Sequence, residues 1–173
     1  TRKESSAASD VYKRQGKTLK ALAIIFFLIL IVYNLSISSS RRYKINSKPY
    51  IFIIGSLLSI IAFYLWLNFS KDFSDLILGL LAVSLFFTFS VGQGIRKDGF
   101  VVFLGNTPIL KLVSFIDIKN MYFFDGKNND LILEIKAHST TYKQTYRIGD
   151  RDKLINFLSK NLDSKFNFKL FKA

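Results

Sequence analysis

The chain has 173 residues, of which 50% are hydrophobic and 16% aromatic, and its formal net charge is +13. The absence of cysteine excludes a disulfide scaffold, a zinc ribbon, thiol catalysis and an iron–sulfur site. A single histidine argues against His-ligated metal sites and most triad hydrolases.

Residues 1–15 (TRKESSAASDVYKRQ) are polar and carry no apolar periodicity or helix start signal. Within them, Asp10-Val-Tyr-Lys-Arg-Gln15 resembles the in-frame translation of a transposon-end adapter used in preparing sequencing libraries. The other reading is a genuine disordered tail. Either way the segment is set aside as outside the fold. That leaves the natural N-terminus, and the number of spans upstream, open.

Three apolar runs follow: residues 19–38 (LKALAIIFFLILIVYNLSIS), 50–69 (YIFIIGSLLSIIAFYLWLNF) and 75–94 (DLILGLLAVSLFFTFSVGQG). At about 1.5 Å of rise per residue, each covers a hydrocarbon core of roughly 30 Å. Their only charged residues, Lys20 and Asp75, lie at run ends. Soluble helices rarely stay apolar on every face for so long, so the runs predict transmembrane helices. Residues 70–74 join the second and third in a tight antiparallel hairpin. Gly55, Ser59, Gly79, Ala82 and Ser84 offer points of close helix approach, or are ordinary small-residue usage. No charge lies at mid-depth, which argues against a self-contained pump or transporter.

Lys and Arg near the run ends set the orientation. Arg41, Arg42, Lys44 and Lys48 in the first loop, and Arg96 and Lys97 after the third span, lie on one side, which is predicted to be cytoplasmic. Lys71 stands alone in the second loop. Lys17 and Lys20 would then lie outside, a mild conflict.

From Ile95 on, the composition changes to 14 basic and 8 acidic residues with no run of spanning length. This predicts a small cytoplasmic domain, residues 95–173. Asp98-Gly99 signals a hairpin between 95–97 and 100–104. Residues 109–115 and 118–124 read as strands. Residues 131–137 and 142–148 alternate, joined by a four-residue turn at 138–141 that would set Glu134 opposite Thr145. Glu134 is then sheet surface, not a catalytic acid. Asp150 is the expected N-cap of a closing helix, whose stripe is Leu154, Ile155, Leu158 and Leu162. The fold class is membrane α-helical plus a small α+β domain: a bent antiparallel sheet with a C-terminal helix.

The succession GIRKDGFVVF, LVSFIDIKNMYFF, NNDLILEI and TYKQTYRIGDRDKLINFLSKNL resembles the pleckstrin-homology-like (PH-like) domains attached to bacterial membrane helices. It is most similar to an uncharacterised family of small Gram-positive multi-span proteins with this C-terminal domain. Where that family often has Trp ahead of its Asp-Ile-Lys segment (here Asp117-Ile118-Lys119), this chain has Phe115. The resemblance covers about 75 residues and the preceding hairpin. It implies a PH-like fold and a membrane address, not a reaction.

No spacing of residues proposes a catalytic, metal or cofactor site. Asp98, Asp125 and Asp130 are turn formers, and His138 is an exposed turn residue. Residues 125–130 resemble half a calcium loop without its later Glu. The candidate site residues are cations: Arg41, Arg42, Lys44, Lys48, Arg96 and Lys97 beside the membrane, and Lys165, Lys169 and Lys172 in the tail. Each basic residue near an anionic leaflet contributes about 1 kcal/mol. The plainer alternative for the loop cations is topology determination. For the tail, with Phe166, Phe168 and Phe171, it is a last strand or helix end completing the core. The expectation is a non-enzymatic multi-pass protein of the bacterial cell membrane. Its partners would be the bilayer, and anionic lipid headgroups or a membrane protein, with no nucleic acid and no small-molecule substrate. The alternative is an accessory subunit of a membrane transport or secretion complex.

Overall fold

The computed structural model describes residues 2–70, 72–105, 107–126, 129–162 and 169–171, with side chains described between Arg14 and Leu162. The chain divides into two compact units. The first holds residues 1–33 and 50–87; the second holds 34–49 and 88–173.

The first unit is helical. Its elements are α1 (Arg2–Ser39) up to Tyr33, α2 (Tyr50–Leu65) with a π-turn at Trp66–Ser70, and α3 (Phe73–Ser90) up to Phe87. Three stretches are long and apolar enough to cross a membrane: Arg14–Ser39, Tyr50–Ser70 and Phe73–Ser90. The segment expected to be an unstructured tail instead continues α1 back to Arg2. The third helix ends at Ser90 rather than at residue 94. The chain turns there because Gly92 and Gly94 are needed for close packing: a Cβ on Gly92 would lie 2.2 Å from the Thr88 carbonyl oxygen, and one on Gly94 2.2 Å from that of Tyr43.

Large apolar side chains point outward all along these helices. Ile53 is 69% exposed, Ile60 66% and Phe69 79%. The glycines supply the close approaches. A Cβ on Gly55 would run into the Phe87 ring, and one on Gly79 would stand 3.0 Å from the Ala62 Cβ. Ser59 and Ser84 are bonded within their own helices, to the carbonyls of Gly55 and Leu80. At the α2–α3 turn, Lys20 Nζ reaches both Asp72 (2.9 Å) and Asp75 (2.7 Å). Ser70 Oγ donates to Asp75, and the Trp66 indole N–H donates to the Asp72 carbonyl at 3.1 Å.

Among the described residues, the second unit has two four-stranded sheets and one α-helix that lies wholly within it. The strands are β1 (Tyr43–Lys44), β2 (Gly94–Ile95), β3 (Gly99–Phe103), β4 (Leu110–Ser114), β5 (Ile118–Asp125), β6 (Asp130–Ala137), β7 (Thr140–Arg147) and β8 (Lys169–Phe171); the helix is α4 (Arg151–Asn161). One sheet runs β1-β2-β3-β4 and the other β7-β6-β5-β8. All pairings are antiparallel except β5 with β8.

The alternation read from the sequence fixes the faces. Leu131, Leu133, Ile135 and Ala137 of β6 are all fully buried. They join Phe100, Phe123, Tyr146, the α4 residues Leu154, Phe157 and Leu158, and Leu162 just after the helix in one core. Ile155, expected in the stripe, is half-buried at its margin, and Phe157 takes the deeper place. Gln144 ties the sheets together: its amide donates to the Val101 carbonyl at 2.7 Å and its oxygen accepts from the Tyr146 hydroxyl at 2.5 Å. Burial pushes the Tyr146 phenol pKa well above its ordinary value.

Three local expectations change. The β6–β7 turn has two residues, His138 and Ser139, with Ala137 paired to Thr140. His138 takes the left-handed conformation this tight turn needs, at φ 53°. The register therefore sets Glu134 opposite Lys143, 3.1 Å away, not opposite Thr145; a shift of two residues leaves every face unchanged. The β2–β3 hairpin forms, but Lys97-Asp98 is its centre, since Arg96 N–H bonds the Gly99 carbonyl. Gly99 is required for another reason: a Cβ there would lie 2.1 Å from the Val113 carbonyl oxygen on β4. Asp150 precedes α4 but makes no capping bond, because a 3-10 turn, Ile148–Asp150, leads into the helix.

The unit is also larger than residues 95–173. The end of α1 and the loop after it are built into the sheets. Buried Asn34 donates to the Pro108 carbonyl (3.0 Å) and accepts from the Leu110 N–H (3.0 Å). β1 adds a strand to β2, and the Asn46 N–H bonds the Thr145 carbonyl on β7.

Candidate functional site

The nine cations singled out from the sequence do not share one role. Arg41 is structural. Its guanidinium donates to the carbonyls of Ser38 (2.5 Å), Gln93 (2.8 Å) and Val91, joining the end of α1 to the segment after α3. Its partial burial lowers its pKa from the ordinary guanidinium value. Arg96 pairs with Asp98 at 3.0 Å and also donates to the Ile37 carbonyl. Lys44 and Lys48 are exposed. Lys165, Lys172 and the Lys169 side chain lie outside the described residues. The backbone of Lys169 opens β8, which pairs with β5, as in the strand-completing alternative for the tail.

The remaining two, Arg42 and Lys97, are brought together with residues that the sequence reading had assigned only to a helix. An open groove of about 550 Å³ is lined by Arg42, Tyr43, Lys97, Lys153, Asn156, Phe157, Lys160 and Asn161. Its walls have distinct origins. β1 brings Arg42 and Tyr43 because the first loop pairs with β2. The β2–β3 turn presents Lys97. One face of α4 presents Lys153, Asn156 and Lys160, at helical spacings of three and four. That spacing was legible in the sequence; what was missing was the strand it faces.

Arg42 is held in place from below. Its guanidinium carbon lies 5.2 Å from the centroid of the Phe157 ring, a cation–π contact worth about 0.5–1 kcal/mol where exposed. Phe157 in turn packs on the Tyr43 ring at 5.4 Å, and the Tyr43 hydroxyl donates to the Lys153 carbonyl at 3.3 Å. The groove thus has an aromatic floor and cationic walls.

Four cations line this groove and no carboxylate does. Among the described residues none of the four forms an ion pair, whereas Arg96, Lys143, Arg151 and Lys20 are each paired with acids. A second depression shares Arg42, Tyr43 and Lys153 and adds, among others, Lys44, Arg147 and Asp150. Like charges gathered without a counter-charge raise the local potential and favour an anion. Among the described residues that line the groove, no nucleophile is paired with a base. Among the described residues no group of three or more His, Cys, Asp or Glu could hold a metal ion. His138 is exposed and 3.9 Å from Asp117. Asp130 accepts from the Asn46 amide, and Asp125 accepts from Arg151.

No protein-family model matches the chain, and no curated protein matches it.

Proposed function

We propose that this is an integral membrane protein whose sheet unit is a PH-like, non-enzymatic binding module on the cytoplasmic face, engaging the anionic inner leaflet. The observation that carries the reading is the groove of four cations, none in an ion pair among the described residues, next to the end of a span-length helix. Arg42 is the third residue after Ser39, and three residues of chain reach at most about 11 Å. The last residues of α1 are themselves bonded into the sheet unit, through Asn34 and the Ile37 carbonyl. Where α1 leaves the bilayer, the basic module begins.

Two four-stranded, mainly antiparallel sheets with a C-terminal helix on the core support the PH-like reading. The strand donated from before α2 and the parallel β8 are departures from a simple sheet-then-helix order. The cytoplasmic side rests on the Lys/Arg bias of the first loop and of the segment after α3. Lys20, at the other end of the first span, is paired with Asp72 and Asp75, and six basic residues on the proposed cytoplasmic side outnumber Lys17 and Lys20.

The test uses the full chain in nanodiscs of phosphatidylcholine alone or with phosphatidylglycerol. Backbone hydrogen exchange at residues 42–44 and in α4 should slow in the anionic discs and recover at high salt. Identical exchange in both discs rejects leaflet binding. A stoichiometric membrane partner, crosslinked through the helices and retained in mild detergent, would instead favour an accessory subunit of a transport or secretion assembly.

A further inference from the structure

We infer that the sheet unit is sunk into the membrane rather than perched on it, with the β3–β4 loop around Leu104 and Thr107–Ile109 against the acyl chains at the depth of Asn34. The inference rests on the membrane reading above and goes beyond it: the contact is apolar and needs no anionic lipid.

The depth follows from the end of α1. The span-length stretch Arg14–Ser39 has 26 residues, and about twenty cross a hydrocarbon core. Asn34 is the sixth residue from the end of that stretch, so with the surplus shared equally between the two ends it lies inside the core. Leu35 beside it is 51% exposed, an apolar side chain turned outward. Asn34 itself is fully buried, because its amide is bonded at both ends to the sheet unit, to the Pro108 carbonyl and the Leu110 N–H. The β3–β4 loop therefore shares its depth.

The chemistry of the loop suits an apolar layer. Residues 99–110 (GFVVFLGNTPIL) carry no charge, and Leu104 is 44% exposed. Backbone at such a depth must find its hydrogen bonds within the protein. The Leu104 N–H bonds the Ile109 carbonyl at 2.9 Å, and the Thr107 N–H and hydroxyl both donate to the Leu104 carbonyl. Pro108 has no N–H to satisfy. The segment after α3 follows the same rule. That helix has 18 residues and ends at Ser90, and Arg41 donates to the carbonyls of Val91 and Gln93 just beyond it.

Lys111, the first charge after the loop, has a stem long enough to carry its ammonium toward the headgroups. The β2–β3 turn with Lys97 lies at the opposite end of β3, about 13 Å along the strand. Immersing the loop thus leaves the cations of the groove farther out.

The chain has no cysteine, so single cysteines can be introduced and labelled with a nitroxide with no other change. The labelled full chains are placed in phosphatidylcholine vesicles. Electron paramagnetic resonance then measures collisions with oxygen, which concentrates in hydrocarbon, and with a water-soluble nickel chelate. Leu104→Cys reports the loop, and Thr107→Cys reports it from a second position should the first variant fail to assemble. Ile29→Cys, 60% exposed on α1, reports the span. Ser139→Cys, in the exposed β6–β7 turn, reports water; the turn follows Ala137, whose partner Ile118 lies past the far end of β4. Hydrogen exchange of β5–β7 verifies that each labelled chain is folded.

The loop label should behave as the Ile29 label does. Its oxygen collisions should exceed those at Ser139, and its nickel collisions should be about tenfold or more fewer, since an apolar layer excludes a polar solute. A folded loop variant that matches Ser139, while Ile29 stays rich in oxygen, overturns the immersion and leaves the membrane reading standing. A loop shielded from both reagents overturns it too, because protein rather than lipid then covers it. Nickel access at Ile29 as well removes the membrane reading, and this inference with it. The bilayer is neutral, so attraction of the groove to an anionic leaflet enters none of these outcomes.

Discussion

The two units use the same apolar residue types in opposite ways. Leu133, Ile135 and Phe123 of the sheets are buried almost to the last atom. Ile53, Ile60 and Phe69 of the helices face outward, although the helices are the more apolar part of the chain. Apolar surface is stable only away from water. The sheet unit provides its own apolar interior, while the helical unit relies on its surroundings. The difference means that stability tests on the two units should not look alike.

The largest contrast is expected from side-chain truncation. Leu133→Ala leaves a cavity in a closed core and should cost about 2–5 kcal/mol. Ile53→Ala, on an outward helix face, should stay within about 0.5 kcal/mol. Hydrogen exchange of β5–β7 in the full chain reads the first, and thermal unfolding in detergent compares the two. Equal losses would show that the helices have a packed interior of their own.

A smaller contrast concerns glycine. Gly99→Ala directs a methyl against the Val113 carbonyl, a backbone atom fixed by the β3–β4 ladder, and should destabilise the sheet unit by about 1–3 kcal/mol. Gly55→Ala meets the end of the Phe87 ring, a side chain that can turn aside, so its effect should be the lesser. A larger shift in unfolding temperature for the Gly55 variant would reverse that ranking.

The smallest effect is electrostatic. Lys20 donates to the Asp72 carboxylate, and Ser74 adds backbone and side-chain bonds, so the Asp72 pKa is held below its ordinary value. A depressed carboxylate stabilises the folded state fully above its unfolded pKa. That contribution is lost as pH falls through the folded value. Acidification through this window should lower hydrogen-exchange protection in the α2–α3 turn, measured against the intrinsic rate at each pH, before the sheets respond. The pair is exposed and screened, so the change should be modest and should shrink further in high salt. A turn insensitive to both pH and Lys20→Gln would show that the ion pairs contribute nothing there.

Legibility followed the range of the interactions. The three apolar stretches could be read because twenty consecutive residues carry that signal by themselves. The faces of β6 and β7 could be read because alternation is local, and a two-residue error in register left them intact. The turn length could not, since it depends on His138 adopting a left-handed backbone. β1 was invisible for a stronger reason. Tyr43-Lys44 is too short to show a pattern, and it becomes a strand only because β2, some fifty residues later, pairs with it.

The candidate site divides in the same way. Arg42 and Lys97 stood out as basic residues near span ends, while Lys153, Asn156 and Lys160 were one face of a helix with no stated task. Arg41 and Arg42 are neighbours of identical chemistry, yet one serves backbone carbonyls and the other lines the groove. The amino-acid order alone determined which segments are apolar on all sides and which alternate, because helical and strand periods are properties of consecutive residues. Only the tertiary structure decided which cations meet. Their grouping depends on contacts between β1, the Lys97 turn and α4, segments that lie far apart along the chain.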